Sequence, residues 1–219
     1  MNEPSRGETG EPSGGIFGSL VGAAILDDPS LGVFQRVLLT TDGTIVRLLE
    51  GCFGEPVRTA ELVQFRTPAS ATDGALEPAG HETILRRKVL LQGSRTGRNY
   101  VYADSFTVLD RVGSSLREAL LSTSEPIGRL LVSNRVETFR EILRVGRRRA
   151  GALGGWFGLE FSDELLFRNY RLISGGRPIM LIAESFPPYD FSGQRDGQPA
   201  ETVDLDREPG DVTETNPCR

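Results

Sequence analysis

The stretch Asn169 to Phe186, NYRLISGGRPIMLIAESF, constrains the fold more than any other part of the chain. Two strand-like runs flank a Gly-Gly pair, which a tight antiparallel hairpin turn favours because its central residues take positive φ. The second arm is apolar from Ile179 to Ala183 and then carries a carboxylate, Glu184. Strand side chains alternate faces with period two. Glu184 therefore points the same way as Met180, Ile182 and Phe186, an acid on an apolar face.

The same parity test isolates a second charge in ILRRKVLL, Ile84 to Leu91. Leu85, Arg87, Val89 and Leu91 share one face, so Arg87 stands alone among aliphatic residues. Arg86 and Lys88 share the other face with Ile84 and Leu90, which reads as the wetter side. Two readings of Arg87 and Glu184 stay open from parity alone. One is a buried Arg87–Glu184 salt bridge, which desolvation makes a poor stabiliser. The other is a polar spot in an apolar pocket suited to a small aromatic acid, with the guanidinium clamping a carboxylate bidentately.

Composition limits the alternatives. A chain of 219 residues fits one ordinary domain with tails. Residues 1–19 and 191–219 lack the apolar content to offset ordering entropy and read as disordered tails, the second one acidic. The folded domain is expected over 20–190. A net charge of −5 argues against a nucleic-acid partner, which requires a basic face. No run is long enough to span a membrane, and the acidic start argues against a signal peptide, so a cytoplasmic location is expected. With one histidine, His81, and two cysteines, Cys52 and Cys218, neither a metal site nor a disulfide framework is expected.

Along the chain, short helices are expected over Leu31–Leu39 and from Asp42 or Thr44 to Cys52, the latter burying Cys52. Strands follow at Val57–Phe65, Thr83–Gln92 and Asn99–Leu109. A Pro/Ala/Gly-rich excursion, Thr67 to Gly80, is long enough to be a lid or binding loop. Ser114 or Ser115 caps a further helix, and Pro126 opens another. Val136–Arg149 fits either helix or strand. Helices first and antiparallel strands later indicate an α+β fold. Arg147-Arg148-Arg149 reads as a solvated strand end, Ser162-Asp163-Glu164 as a turn, Trp156 as core or pocket wall and His81 as a surface residue.

The segments LLTTDGT, LRRKVLLQG, SEPIG, ETFRE and YRLISGGRPIMLIAESF occur in one order over about Leu38 to Phe186. Together they resemble the chorismate pyruvate-lyases, in particular the mycobacterial-type 4-hydroxybenzoate synthases. That resemblance implies a single antiparallel sheet of about six strands with helices packed against it. It also implies an enclosed pocket and a cofactor-independent reaction in which chorismate loses enolpyruvate to give 4-hydroxybenzoate and pyruvate. In this sequence the family's ring-carboxylate arginine corresponds to Arg87 and its pocket glutamate to Glu184. Main-chain N–H groups that help hold the carboxylate correspond to Ile127 and Leu62. Glu184, in protonated form, is then expected to hydrogen-bond the C4 hydroxyl or the leaving oxygen. The fold also resembles the effector-sensing domains of some transcription regulators, so a non-catalytic aromatic-acid binder is the alternative, as is a lyase making another hydroxybenzoate. The short low-complexity stretch before the first helix disfavours a DNA-binding domain in the same chain.

Overall fold

A computed structural model of the chain describes residues 23–69 and 74–189. The Gly-Gly hairpin forms around Gly175 and Gly176, whose φ angles of 56° and 76° are open to glycine without a Cβ penalty. It joins β5 (Glu164–Ser174) to β6 (Arg177–Phe186). Four more strands complete one sheet: β1 (Val57–Thr67), β2 (Ile84–Gly93), β3 (Asn99–Val108) and β4 (Phe139–Arg149). Their order is β1-β2-β3-β6-β5-β4, with every neighbouring pair antiparallel. The last strand in the chain is therefore central, which accounts for the unbroken apolar run in its first half.

After the one-turn helix α1 (Ala23–Leu26), helices α2 (Val33–Thr40), α3 (Ile45–Phe53), α4 (Ser114–Ser122) and α5 (Ile127–Ser133) supply most of the cover on one face. They do so in two lobes. Leu38, Leu39, Val46 and Leu49 of α2 and α3 pack on Val89, Leu91, Leu166 and Phe186. Leu116, Leu120, Leu130 and Leu131 of α4 and α5 pack on Leu85, Leu172, Met180 and Ile182. A seam separates the lobes, and the isolated charges of the sheet lie along it.

The opposite face is covered too. Trp156 and Phe157, in the one-turn helix α6 (Gly154–Phe157), pack on Leu90, Tyr102 and Leu165, while Leu76 packs on Phe106 and Leu181. This corrects the expectation of a wet side for Arg86 and Lys88, which are 8% and 4% exposed. Arg86 grips Asp104 with Nε at 3.1 Å and Nη2 at 2.7 Å, and its guanidinium lies 5.0 Å from the Phe106 ring.

Other expectations hold or shift for identifiable reasons. Val136–Arg149 resolves as strand from Phe139, an edge strand paired only with β5. Gly54 ends α3 in the left-handed conformation. The helix after Arg111 is capped by Gly113 instead of a serine. Cys52 is exposed, because the buried stripe of α3 runs through Ile45, Val46 and Leu49 and leaves it to one side. Arg147 and Arg148 are not a solvated end: Arg147 pairs with Asp28 at 3.0 Å and Arg148 donates to Ser185 Oγ at 2.6 Å. Trp156 is core, and His81 is exposed. Both expected tails, and residues 70–73 of the excursion after Thr67, lie outside the described residues. Among the described residues no helix is long and apolar enough to cross a membrane, and no cluster of three potential metal ligands occurs.

Candidate active site

Register explains how the seam is built. Arg87, Ser105, Ile182 and Tyr170 lie side by side across β2, β3, β6 and β5. The next row is Val89, Ala103, Glu184 and Arg168. All eight side chains therefore face the helices. A cavity of about 50 Å³ opens here, walled by Val89, Leu91, Leu131, Leu172 and Ile182, with Ser105, Arg140, Tyr170 and Glu184 supplying polar atoms.

Glu184 is 4% exposed and fully engaged. Arg168 Nε donates to its Oε2 at 2.6 Å, and Tyr170 Oη donates to its Oε1 at 2.9 Å. Arg168 also donates from Nη1 to the Thr41 carbonyl at 2.8 Å. Burial by itself would lower the Arg168 pKa, but the adjacent Glu184 carboxylate outweighs it and holds the pKa above the ordinary arginine value. Burial, and then the same carboxylate, raises the Tyr170 hydroxyl. The buried salt bridge considered from sequence thus exists with a different cation, since Glu184 pairs with Arg168 and not with Arg87.

Arg87 has no exposed surface, and no carboxylate among the described residues pairs with it. Its Nη2 donates to the carbonyls of Thr123 and Glu125 at 3.2 and 3.3 Å, while Nε and Nη1 have no hydrogen-bond partner. Desolvation pushes its pKa down to about 10, so it remains a cation at neutral pH. A buried, singly anchored guanidinium with free donors is costly unless an anion completes it.

The helix ends add donors at the same place. Thr44 and Ile45 at the start of α3, and Pro126, Ile127 and Gly128 at the start of α5, border the cavity. Neither helix has a side-chain hydrogen bond at its N-cap. The opening amides of a helix have no acceptor one turn back and carry the positive end of its dipole, and in α5 Arg129 N already donates to the Pro126 carbonyl at 2.9 Å. The two ends touch, because a Cβ on Gly128 would stand 2.4 Å from Thr44 Cγ2.

Of the four residues expected from the sequence, Glu184 and Ile127 border the cavity. Arg87 is not among the lining residues, although its strand neighbour Val89 and its register partner Ser105 are. Leu62, opposite Val89 on β1, packs into the α2/α3 lobe and is not among the residues that line the cavity. Sequence reading missed Arg168, Tyr170 and Arg140. Arg140 lines the cavity from β4, with its guanidinium 4.3 Å from the Tyr170 ring centroid.

A seam with an ion-paired carboxylate, two guanidinium groups that lack a carboxylate partner among the described residues, Arg87 and Arg140, and apolar walls has the chemistry to hold a small organic anion. Residues 39–192 match the family model described as "Chorismate pyruvate-lyase Rv2949c-like". The chain belongs to that family. A chorismate pyruvate-lyase of Mycobacterium tuberculosis is 30% identical over 159 residues, covering 69% of this chain and 78% of the relative. The Mycobacterium leprae chorismate pyruvate-lyase is 29% identical over 155 residues, covering 69% of this chain and 72% of the relative. Among solved structures, the effector domain of PhnF from Mycobacterium smegmatis superposes with a TM-score of 0.51 at 11% identity, covering 68% of this chain and 91% of that one. That likeness concerns the fold alone.

Proposed function

We propose that the protein is a chorismate pyruvate-lyase that converts chorismate to 4-hydroxybenzoate and pyruvate. The single observation that carries this reading is Arg87, a wholly buried guanidinium with two unpartnered donors whose register partner Ser105 lines an apolar cavity. Family membership supports chorismate as the anion that such a group would complete.

In this reading the ring carboxylate of chorismate takes an unpartnered donor of Arg87, supported by the amide of Ile127. The Leu62 amide, on the strand that pairs with Val89, is a further donor in this reading. Glu184, held by Arg168 and Tyr170, faces C4 and C3. The C4–H bond breaks with its proton passing to the Glu184 carboxylate, and the electron pair forms the C3–C4 double bond. The C3–O bond breaks, and enolpyruvate leaves with the ether oxygen. Glu184 returns the proton to that leaving group, which ends as pyruvate. The ring becomes aromatic, so the protein's task is to orient the ether and relay one proton.

Incubation of the purified full chain with chorismate tests this, with pyruvate read through lactate dehydrogenase and the ring product by chromatography. Equimolar pyruvate and 4-hydroxybenzoate are expected. Glu184→Gln should lower turnover by about 10²–10⁴-fold, the usual range for removing a positioned acid or base. Tight 4-hydroxybenzoate binding without pyruvate release would replace this reading with a non-catalytic binder. A different ring product would redirect it to another hydroxybenzoate.

A further inference from the structure

Chorismate, the substrate of the reading above, is a dianion, and Arg87 answers only one of its two carboxylates. A second guanidinium stands at the same cavity. Arg140 reaches it from β4, on the far side of the sheet from β2. Three strands separate the two, so their backbones lie roughly 19 Å apart at ~4.8 Å per strand step. Each side chain turns toward the seam. Arg87 contacts the segment that leads into Pro126 and Ile127, and Arg140 leans over the Tyr170 ring, whose hydroxyl holds Glu184.

Arg140 differs from its neighbours in what it lacks. Arg147 pairs with Asp28, Arg171 with Glu141 and Arg129 with Glu50. No carboxylate among the described residues pairs with Arg140. Its Nη1 donates to the Gly43 carbonyl at 2.7 Å, and its buried Nε has no hydrogen-bond partner. Gly43 immediately precedes Thr44, at the mouth of the cavity. The cation–π contact with Tyr170 holds the guanidinium over the ring, and its unpartnered Nε leaves an edge for an incoming anion.

We infer that Arg140 binds the ether-borne carboxylate of a dianionic substrate and so distinguishes substrate from monoanionic product. Elimination removes that carboxylate with the leaving group. The product then keeps the Arg87 contact and loses the Arg140 contact, which favours its release. The inference rests on the lyase reading for the identity of the dianion, but its geometry applies to any aromatic dicarboxylate of that shape.

Calorimetric titration of the full chain tests it with two non-reactive probes. One is 4-hydroxybenzoate. The other is 3-(carboxymethoxy)-4-hydroxybenzoate, in which a saturated ether carries the second carboxylate. The diacid should bind about tenfold more tightly, a margin of ~1.4 kcal/mol. Arg140→Met should erase that margin and leave 4-hydroxybenzoate affinity unchanged, which also shows the variant to be folded, while Arg140→Lys should keep part of it. Equal weakening of both probes in Arg140→Met, or no margin in the unaltered protein, overturns the inference. Failure of the lyase reading looks different: chorismate yields no pyruvate, yet the diacid margin persists and depends on Arg140. Conversely, turnover with an unchanged KM in Arg140→Met refutes the role of Arg140 and leaves the lyase intact.

Discussion

Replacing Arg168 by methionine, which has similar reach and no charge, isolates what holds Glu184. In the native protein the Glu184 carboxylate has two donors, Arg168 Nε at 2.6 Å and Tyr170 Oη at 2.9 Å. The substitution removes the cationic one and leaves an anion that is 4% exposed with one neutral donor. Breaking a buried pair from one side costs about 3–5 kcal/mol, because the surviving charge is stranded. The Thr41 carbonyl loses its donor as well, at about 1 kcal/mol. The sum, about 4–6 kcal/mol, is a large part of the ~5–15 kcal/mol that stabilises a typical domain. Urea denaturation at pH 7 should therefore show a markedly lower midpoint. One further result separates a stranded charge from a simple cavity. The double variant Arg168→Met/Glu184→Gln should recover much of the loss, since both charges are gone. A loss under about 1 kcal/mol, or no recovery in the double variant, would show that the pair does not anchor Glu184.

Three other outcomes follow from the same geometry. Arg87→Met should cost little stability, because an uncompensated buried cation is replaced by an apolar side chain. Affinity for 4-hydroxybenzoate should fall by about 2–5 kcal/mol in calorimetry, and unchanged affinity would remove Arg87 from the site. Gly128→Ala should hold the starts of α3 and α5 apart through the new Cβ against Thr44 Cγ2. Overpacking of this kind costs about 1–3 kcal/mol, and Thr44→Ser, which deletes the methyl group, should restore ligand affinity. Glu55 provides a pH test remote from the cavity. Burial opposes its ionisation, but donors from Thr96, Tyr100 and the Arg95 amide prevail and hold its pKa at about 2, against 4.5 unfolded. A depressed carboxylate stabilises above its unfolded pKa and loses that contribution as pH falls toward 2. Glu55→Gln should therefore cost about 3 kcal/mol at pH 7 and much less near pH 2.5, measured by urea denaturation.

Much of the fold was legible because short-range chemistry decides it. The Gly175-Gly176 turn, the end of α3 at Gly54 and the run of strands around Gly93–Gly97 each depend on residues within a few positions of one another. The wet-side reading of Arg86 and Lys88 failed for a complementary reason. Parity sorts side chains between two faces, but it cannot say that α6 and the Leu76 segment, distant in sequence, cover the second one. The polarity of that face is absorbed by Asp104, whose partnership with Arg86 needs the β2–β3 register.

The partner of Glu184 was hidden by a single irregularity in an otherwise readable hairpin. Counting outward from the Gly-Gly turn pairs Ser174 with Arg177 and, without interruption, would set Phe167 opposite Glu184. The register instead shifts between Leu172 and Ile173, beside Pro178, which has no N–H to donate to the ladder. One extra residue on β6 brings Arg168 opposite Glu184 and turns Tyr170 onto the same face. A carboxylate that parity could place only on an apolar face thereby acquires its cation. Arg87, which parity placed beside it as a possible partner, is left without one. That division follows from where a proline interrupts a strand. It separates the charge that supports the site from the charge that is free to bind.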